Sequence, residues 1–233
     1  MESDLNSQIK QTTESPGKKL FGWPGLGQLI YAYGVLGPPL LVWFVLIYAG
    51  ADYLTGLHEF RVPLYFPFEL NIPFVPGMVV FYNSMHVAYL IAPFILRTRP
   101  EMHAMAWTWV AITLCAGVIF LLLPAEDAFV TPPDSALGPW RGWFRMADQA
   151  NLRFNSLPSL HVAWAIVCVD VYARGASSWN RLWLWGWGIG MVLSTVLLHQ
   201  HHIADAVGGV VLGLIGSRVW YRRLLDYFRR GPS

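Results

Sequence analysis

The chain has 233 residues, of which 55% are hydrophobic and only 13% are charged. A soluble domain carries about 25% charged residues, so this composition excludes an ordinary soluble domain, a disordered chain and a collagen-like chain. The formal net charge of +2 argues against a nucleic-acid-binding protein. Cys115 and Cys168 both lie inside apolar runs, which favours packing roles over a disulfide framework or a zinc site.

Apolar segments recur along the chain and predict a multi-pass membrane protein. A helix that crosses a bilayer needs about 20 apolar residues. Six segments approach that length, at residues 30–48, 74–96, 104–123, 157–172, 182–198 and 206–220. The segment 57–73, rich in proline and aromatic residues, is typical of a re-entrant or interfacial element instead.

The predicted fold is therefore all-α, a polytopic bundle of six transmembrane helices. We expect a polar cytoplasmic tail at residues 1–24, a membrane domain at residues 25–225 and a short basic cytoplasmic tail at residues 226–233. Lysine and arginine are enriched in cytoplasmic loops. With the N-terminus inside, twelve of these residues fall on the inner side and four on the outer side. Both termini are thus predicted to be cytoplasmic, and the loops after the first, third and fifth spans face the periplasm, lumen or exterior.

Polar residues cluster at the start of the fourth predicted span. Asn155 or Ser156 can cap the helix, and Pro158 suits its first turn because proline has no N–H to leave unpaired. The free N–H groups and the helix dipole favour an anion there. Ser159 adds a hydroxyl donor and His161 lies one turn further in. The alternative is that these groups only anchor the span among the lipid headgroups.

Three histidines and an aspartate join the fifth and sixth predicted spans. His201 and Asp205 are four residues apart and would share one face of a helix. The carboxylate could then hold one ring nitrogen and leave the other as a nucleophile or base. His202 and Asp205 could also pair, whereas His199 is expected to face elsewhere. On the predicted topology, this cluster and His161 lie at the same outer membrane face.

The loop before the fourth span carries Arg141, Arg145 and Arg153 on the predicted outer side. A guanidinium group is always charged and binds phosphate with two parallel hydrogen bonds. These residues therefore form a candidate phosphate clamp, with ordinary solvated loop charge as the alternative.

At these residues the sequence resembles the type 2 phosphatidic acid phosphatase (PAP2) superfamily, whose members are six-span, metal-independent lipid phosphatases and phosphotransferases. The family motif Pro-Ser-Gly-His resembles Pro158–His161, with Leu160 in place of the glycine. The family's lysine motif has no counterpart in its usual place.

A second family motif, Ser-Arg followed by His and Asp, resembles Ser194, His201 and Asp205 in spacing, with Thr195 in place of the arginine. With Leu160 in place of glycine and Thr195 in place of arginine, the motifs are more similar to those of the branch that includes inositol phosphorylceramide synthase. That branch transfers phosphoryl-linked headgroups between lipids. By inference, the loop arginines would substitute for the missing basic ligands.

The resemblance implies a membrane-embedded enzyme whose substrate is a lipid phosphate, diphosphate or phosphodiester. His201 would attack phosphorus, His161 would protonate the departing oxygen and Asp205 would orient His201. The phosphoryl oxygens would be held by five residues: Ser159, Ser194, Arg141, Arg145 and Arg153. The phosphohistidine would pass to water or to a lipid alcohol, without metal or cofactor. Two alternatives are a metal-dependent membrane hydrolase that uses the histidines and Asp205, and a catalytically silent carrier or scaffold.

Overall fold

Helices make up most of the computed structural model, which describes residues 20–125, 128–152 and 154–230. Nine helices follow in chain order within these residues: α1 Leu26–Gly56, α2 Val79–Leu90, α3 Ala92–Ile95, α4 Arg99–Leu122, α5 Asp134–Leu137, α6 Arg141–Ala150, α7 Leu160–Ala173, α8 Ser178–Leu197 and α9 Ile203–Arg230. Short 3-10 turns lie at Pro67–Asn71, Pro76–Met78 and Gly138–Trp140. Extended pairing in the same residues is limited to a parallel bridge between Val62 and Ala125.

Three of the described helices, α1, α4 and α9, are long and apolar enough to cross a membrane. They correspond to the first, third and sixth predicted spans. The second predicted span is divided at Ile91 into α2 and α3, and α7 has only 14 residues. The described part of the chain is therefore all-α with three candidate membrane-spanning helices, and the count of six spans stays a prediction.

Helix boundaries differ from the predicted ones where side chains cap the first turn. The Thr98 side chain accepts a hydrogen bond from the Glu101 N–H, and the Glu101 carboxylate accepts one from the Thr98 N–H at 3.0 Å. This reciprocal capping starts α4 at Arg99, five residues before the predicted span. At the other end of the chain α9 continues to Arg230, so residues 226–230 of the predicted tail are helical. Residues 1–19 and 231–233 lie outside the described part.

The short helix α7 lies inside the bundle, where eleven of its fourteen residues are buried. Its backbone approaches that of α9 very closely. A Cβ atom on Gly209 would lie 2.6 Å from the Ser159 carbonyl oxygen, and one on Gly213 would lie 2.6 Å from the Ala163 carbonyl oxygen. Only residues without a side chain allow this approach. It brings the first turns of α7 and α9, which carry His161 and Asp205, to one end of the bundle.

Basic residues occupy the opposite end. Asp170, near the C-terminal end of α7, accepts a hydrogen bond from Arg174 at 2.9 Å and lies 3.7 Å from the Arg218 side chain. The Arg229 side chain lies 3.7 Å from Glu101 at the start of α4. The contacts with Arg174 and Arg218 explain why the fourth apolar segment carries the acidic residue Asp170. They also place a charged, mainly basic end one full helix length away from His161.

Candidate active site

Two histidine rings meet at the polar end of the bundle. The ring centroids of His161 and His201 are 5.9 Å apart. His161 lies in the first turn of α7, and His201 lies in the turn between α8 and α9. The N–H groups of Gln200 and His201 both donate to the Thr195 carbonyl oxygen, at 3.0 and 3.1 Å. These two bonds fold the turn back over the end of α8 and so direct His201 toward α7.

Asp205 lies beside His201, but through a different geometry from the predicted one. The helix starts at Ile203 and His202 is its N-cap residue, so His201 and Asp205 do not share a helical face. The Asp205 carboxylate instead turns back over the cap and accepts a hydrogen bond from the His202 N–H at 2.9 Å. Its Oδ2 atom is 3.6 Å from Nδ1 of His201, which is ion-pair distance but too long for a hydrogen bond.

Both ring nitrogens of His201 are buried without a hydrogen-bond partner among the described residues, as is Oδ1 of Asp205. The two side chains are 5% and 1% exposed. Buried polar atoms are normally paired, and a catalytic role is one explanation for atoms that are not. The His201 imidazole thus has unused hydrogen-bonding capacity, at nitrogens that are shielded from solvent.

His161 contacts a tyrosine that the sequence reading did not select. Its ring stacks on that of Tyr82, with centroids 4.7 Å apart, and its Nε2 atom is 3.1 Å from Tyr82 Oη. The amide of Asn151 donates to Tyr82 Oη at 2.9 Å and also to Gln200 Oε1. A series of hydrogen bonds orients the imidazole of His161 and runs from Gln200 through Asn151 and Tyr82. Its members come from four separate segments, so no local pattern reveals it.

A mainly polar cavity of about 190 Å³ opens beside His201. Its walls include the side chains of Tyr48, Asp148, Asn151 and Gln200. The volume is below the usual range for a drug-sized ligand and suits a small polar group such as a phosphoryl headgroup.

The family model of the PAP2 superfamily matches residues 71–219, well over half of the chain. The chain belongs to the PAP2 superfamily. The matched residues include His161, His201 and Asp205, and membership indicates phosphatase or phosphotransferase chemistry in general. No curated protein and no solved structure matched the chain. The closer resemblance to the inositol phosphorylceramide synthase branch stays a prediction.

The two serines of the PAP2 motifs have different positions. Ser159, rather than Asn155 or Ser156, is the N-cap of α7: its Oγ atom accepts from the Val162 N–H at 3.3 Å. Its own N–H donates to the Asp205 carbonyl oxygen at 3.0 Å, which ties the two motifs together. Ser194 is fully buried within α8 and donates to the Met191 carbonyl oxygen at 2.6 Å. It does not line the cavity beside His201.

The loop arginines are balanced by neighbouring acids. Arg141 and Arg145 both contact Asp134, at 2.7 and 2.8 Å, and Arg145 lies 3.4 Å from Asp148. The hydrogen bond from Arg145 lowers the pKa of the Asp134 carboxyl. Asp148 lines the cavity, so Arg145 contacts a residue of the cavity wall. Arg141 instead pairs with Asp134, which is exposed. The predicted site residue Arg153 lies outside the described residues.

A buried carboxylate that the sequence reading missed holds the start of α9. Glu69 is fully buried in the 3-10 turn Pro67–Asn71, and its Oε2 atom accepts from the Ile203 N–H at 2.8 Å. The same atom is 3.1 Å from Nδ1 of His202. The available signal was an acidic residue inside a stretch otherwise rich in proline and aromatic side chains. The segment predicted to be re-entrant or interfacial thus closes directly onto the histidine cluster.

The other histidines of the cluster are engaged in structural contacts. The His202 ring stacks between Tyr65 and Phe129, at centroid distances of 5.0 and 4.3 Å. Nε2 of His199 is 2.9 Å from the Ile72 carbonyl oxygen, although the residue also lines the cavity. Within the described ranges, no three His, Cys, Asp or Glu side chains are grouped as metal ligands.

Proposed function

We propose that the protein is a membrane-embedded phosphatase or phosphotransferase that acts on a lipid phosphate, diphosphate or phosphodiester through a phosphohistidine intermediate. The observation that carries the proposal is the state of His201. Its ring is buried, has no partner for either nitrogen among the described residues, and borders the polar cavity. A second imidazole, His161, has its ring centroid 5.9 Å away.

In the first step, a His201 nitrogen attacks phosphorus while the bond from phosphorus to the leaving oxygen breaks. His161 donates a proton to that oxygen as general acid. The Asp205 carboxylate, 3.6 Å from Nδ1 of His201, stabilises the positive charge that develops on the imidazole. In the second step, water or a lipid alcohol attacks phosphorus, His161 accepts its proton, and the bond between nitrogen and phosphorus breaks.

Charge distribution supports a site on the non-cytoplasmic face of a six-span bundle. The histidine cluster lies at one end of α7, and Arg174, Arg218 and Arg229 lie at the other. Basic residues mark the cytoplasmic side of membrane proteins. In this proposal α2, α7 and α8 cross the bilayer with the three longer helices, and the site faces the periplasm, lumen or exterior with both termini in the cytoplasm. The burial of α7 among its neighbours suits a short span shielded from lipid.

The test is turnover by the purified full-length protein against a panel of lipid phosphates, diphosphates and phosphodiesters, with and without alcohol-bearing lipid acceptors. Release of inorganic phosphate identifies a phosphatase, and a new phosphodiester identifies a transferase. His201→Ala is expected to lose nearly all turnover and to form no acid-labile phosphoenzyme. His199→Ala is the matched control, because His199 is a neighbouring imidazole bonded to the Ile72 carbonyl oxygen, and its effect should be milder. A His201→Ala variant with the wild-type rate would overturn the proposal.

A further inference from the structure

A second cavity, of about 360 Å³, lies between α1, α2 and α4. Its wall is almost entirely apolar and includes Leu36, Phe44 and Met105. Tyr33 and Leu90 line it and are themselves 42% and 60% exposed, so the cavity reaches the outer surface of the bundle. Because α1 and α4 are candidate membrane-spanning helices, this surface faces lipid chains when they cross the bilayer.

Three hydrogen-bond donors are buried at this cavity. Tyr89, Trp109 and Trp164 line it and contact one another, with ring centroids 5.3, 5.4 and 5.6 Å apart. The Tyr89 hydroxyl and both indole N–H groups are shielded from solvent, and none has a hydrogen-bond partner in the described part of the chain. Buried donors are nearly always paired, since leaving one unpaired costs free energy. Three at one place indicate that an acceptor comes from outside the protein.

Other aromatic residues of the same cavity do not share this state. The Tyr33 hydroxyl donates to the Leu90 carbonyl oxygen, and the Trp43 indole donates to the Val110 carbonyl oxygen at 3.2 Å. The absence of partners is therefore specific to the three clustered rings and is not a general property of the cavity wall.

We propose that this cavity binds an acyl chain of a membrane lipid, and that the carbonyl oxygen of its ester or amide group accepts hydrogen bonds from Tyr89, Trp109 and Trp164. A hydrocarbon chain matches the apolar wall, and a carbonyl oxygen supplies an acceptor without adding a donor or a charge. Since the three donor atoms are shielded from solvent, binding requires at least one ring to turn. The proposal does not depend on phosphoryl chemistry.

Two side-chain contacts connect the acyl site to the candidate active site. Trp164 follows His161 by three residues on α7, so the two side chains are neighbours on that helix. Phe44 stacks on Tyr48, at a centroid distance of 5.1 Å, and Tyr48 lines the polar cavity. A lipid chain in the apolar cavity would thus lie one side chain away from the polar one.

The experiment compares two neutral ligands that differ only in the carbonyl groups: a diacylglycerol and the dialkylglycerol of equal chain length. Binding to the purified full-length protein in detergent micelles is measured by native mass spectrometry. A net gain of a single hydrogen bond predicts about three- to tenfold tighter binding of the diacyl form, and further bonds would increase this preference. Tyr89→Phe, Trp109→Phe and Trp164→Phe remove one donor each and should reduce this preference. Tyr33→Phe and Trp43→Phe are matched controls that should retain it.

Equal affinity of the wild-type protein for the two ligands would overturn the proposal, because the donors would then be satisfied by neighbouring ring faces. This comparison needs no variant and is unaffected by misfolding. A preference that survives all three donor substitutions would also overturn it, since the carbonyl would be bound elsewhere. Neither ligand carries phosphate, so the comparison measures binding without any turnover. Failure of the catalytic proposal is thereby distinguished from failure of this one.

Discussion

The Nδ1 atom of His202 lies 3.1 Å from Oε2 of Glu69, and both side chains are buried. The two residues are 133 positions apart in the chain. The other carboxylate oxygen of Glu69 accepts from the Phe66 N–H at 2.9 Å. One buried carboxylate therefore joins the segment before α2 to the first turn of α9, beside the proposed nucleophile.

This junction predicts that Glu69→Ala destabilises the protein. The substitution leaves the N–H groups of Phe66 and Ile203 and the ring of His202 without their partner, and a buried donor left without its acceptor costs about 1–3 kcal/mol. We expect a clear fall in the thermal unfolding temperature in detergent, together with loss of turnover. Glu59→Ala is the matched control because Glu59 is an exposed carboxylate in the same region. Unchanged unfolding of Glu69→Ala would show that the contact contributes little.

Tyr82 is predicted to position His161. Tyr82→Phe keeps the stacked ring but removes the hydroxyl whose oxygen is 3.1 Å from Nε2 of His161. We expect kcat to fall about tenfold for lipid phosphates with poor leaving groups, which is the value of one hydrogen bond, and less for an activated aryl phosphate that needs no general acid. KM should change little. Tyr172→Phe serves as control, since Tyr172 is also buried but donates to the Ala88 carbonyl oxygen. An equal loss on both substrate types would refute this positioning role.

Turnover is predicted to persist after exhaustive dialysis against EDTA. The imidazoles of His199 and His202 already contact the Ile72 carbonyl oxygen and the Glu69 carboxylate. They are therefore poorly placed to serve as ligands with His201 and Asp205. The measurement is the rate of phosphate release before dialysis, after it, and after addition of zinc. Complete loss of activity that zinc restores would favour the metal-dependent hydrolase instead.

The orientation of the bundle is tested by single cysteines at Ser135 and Ser178. Both side chains are exposed, in α5 on the histidine side and in the first turn of α8 on the basic side. In intact cells an impermeant thiol reagent should label the cysteine at position 135 and not the one at position 178. In lysed cells both should react, which controls for accessibility. The reverse pattern in intact cells would place the histidine cluster in the cytoplasm.

Much of the site follows from local sequence. Pro158–His161, His201 and Asp205 are recognisable as motifs because each lies within a few residues of its motif partners. Segments of high hydropathy likewise predict the three long helices, since burial in lipid depends on composition over about 20 residues. The prediction that His201 and Asp205 share one face of a helix was wrong, because the helix starts only after the His202 cap.

What the sequence by itself determined is the membrane class and the family, and it selects His161, His201 and Asp205 as the candidate catalytic residues. The tertiary structure decided their partners: Tyr82 reaches His161 across 79 positions, and Glu69 reaches His202 across 133. It also decided that Ser194 packs inside α8 and that Arg145 is held by Asp134. The physical reason is that local patterns report hydropathy and capping within a few turns. Contacts between distant segments depend instead on how closely the helices approach, which here the side-chain-free surface of Gly209 and Gly213 allows.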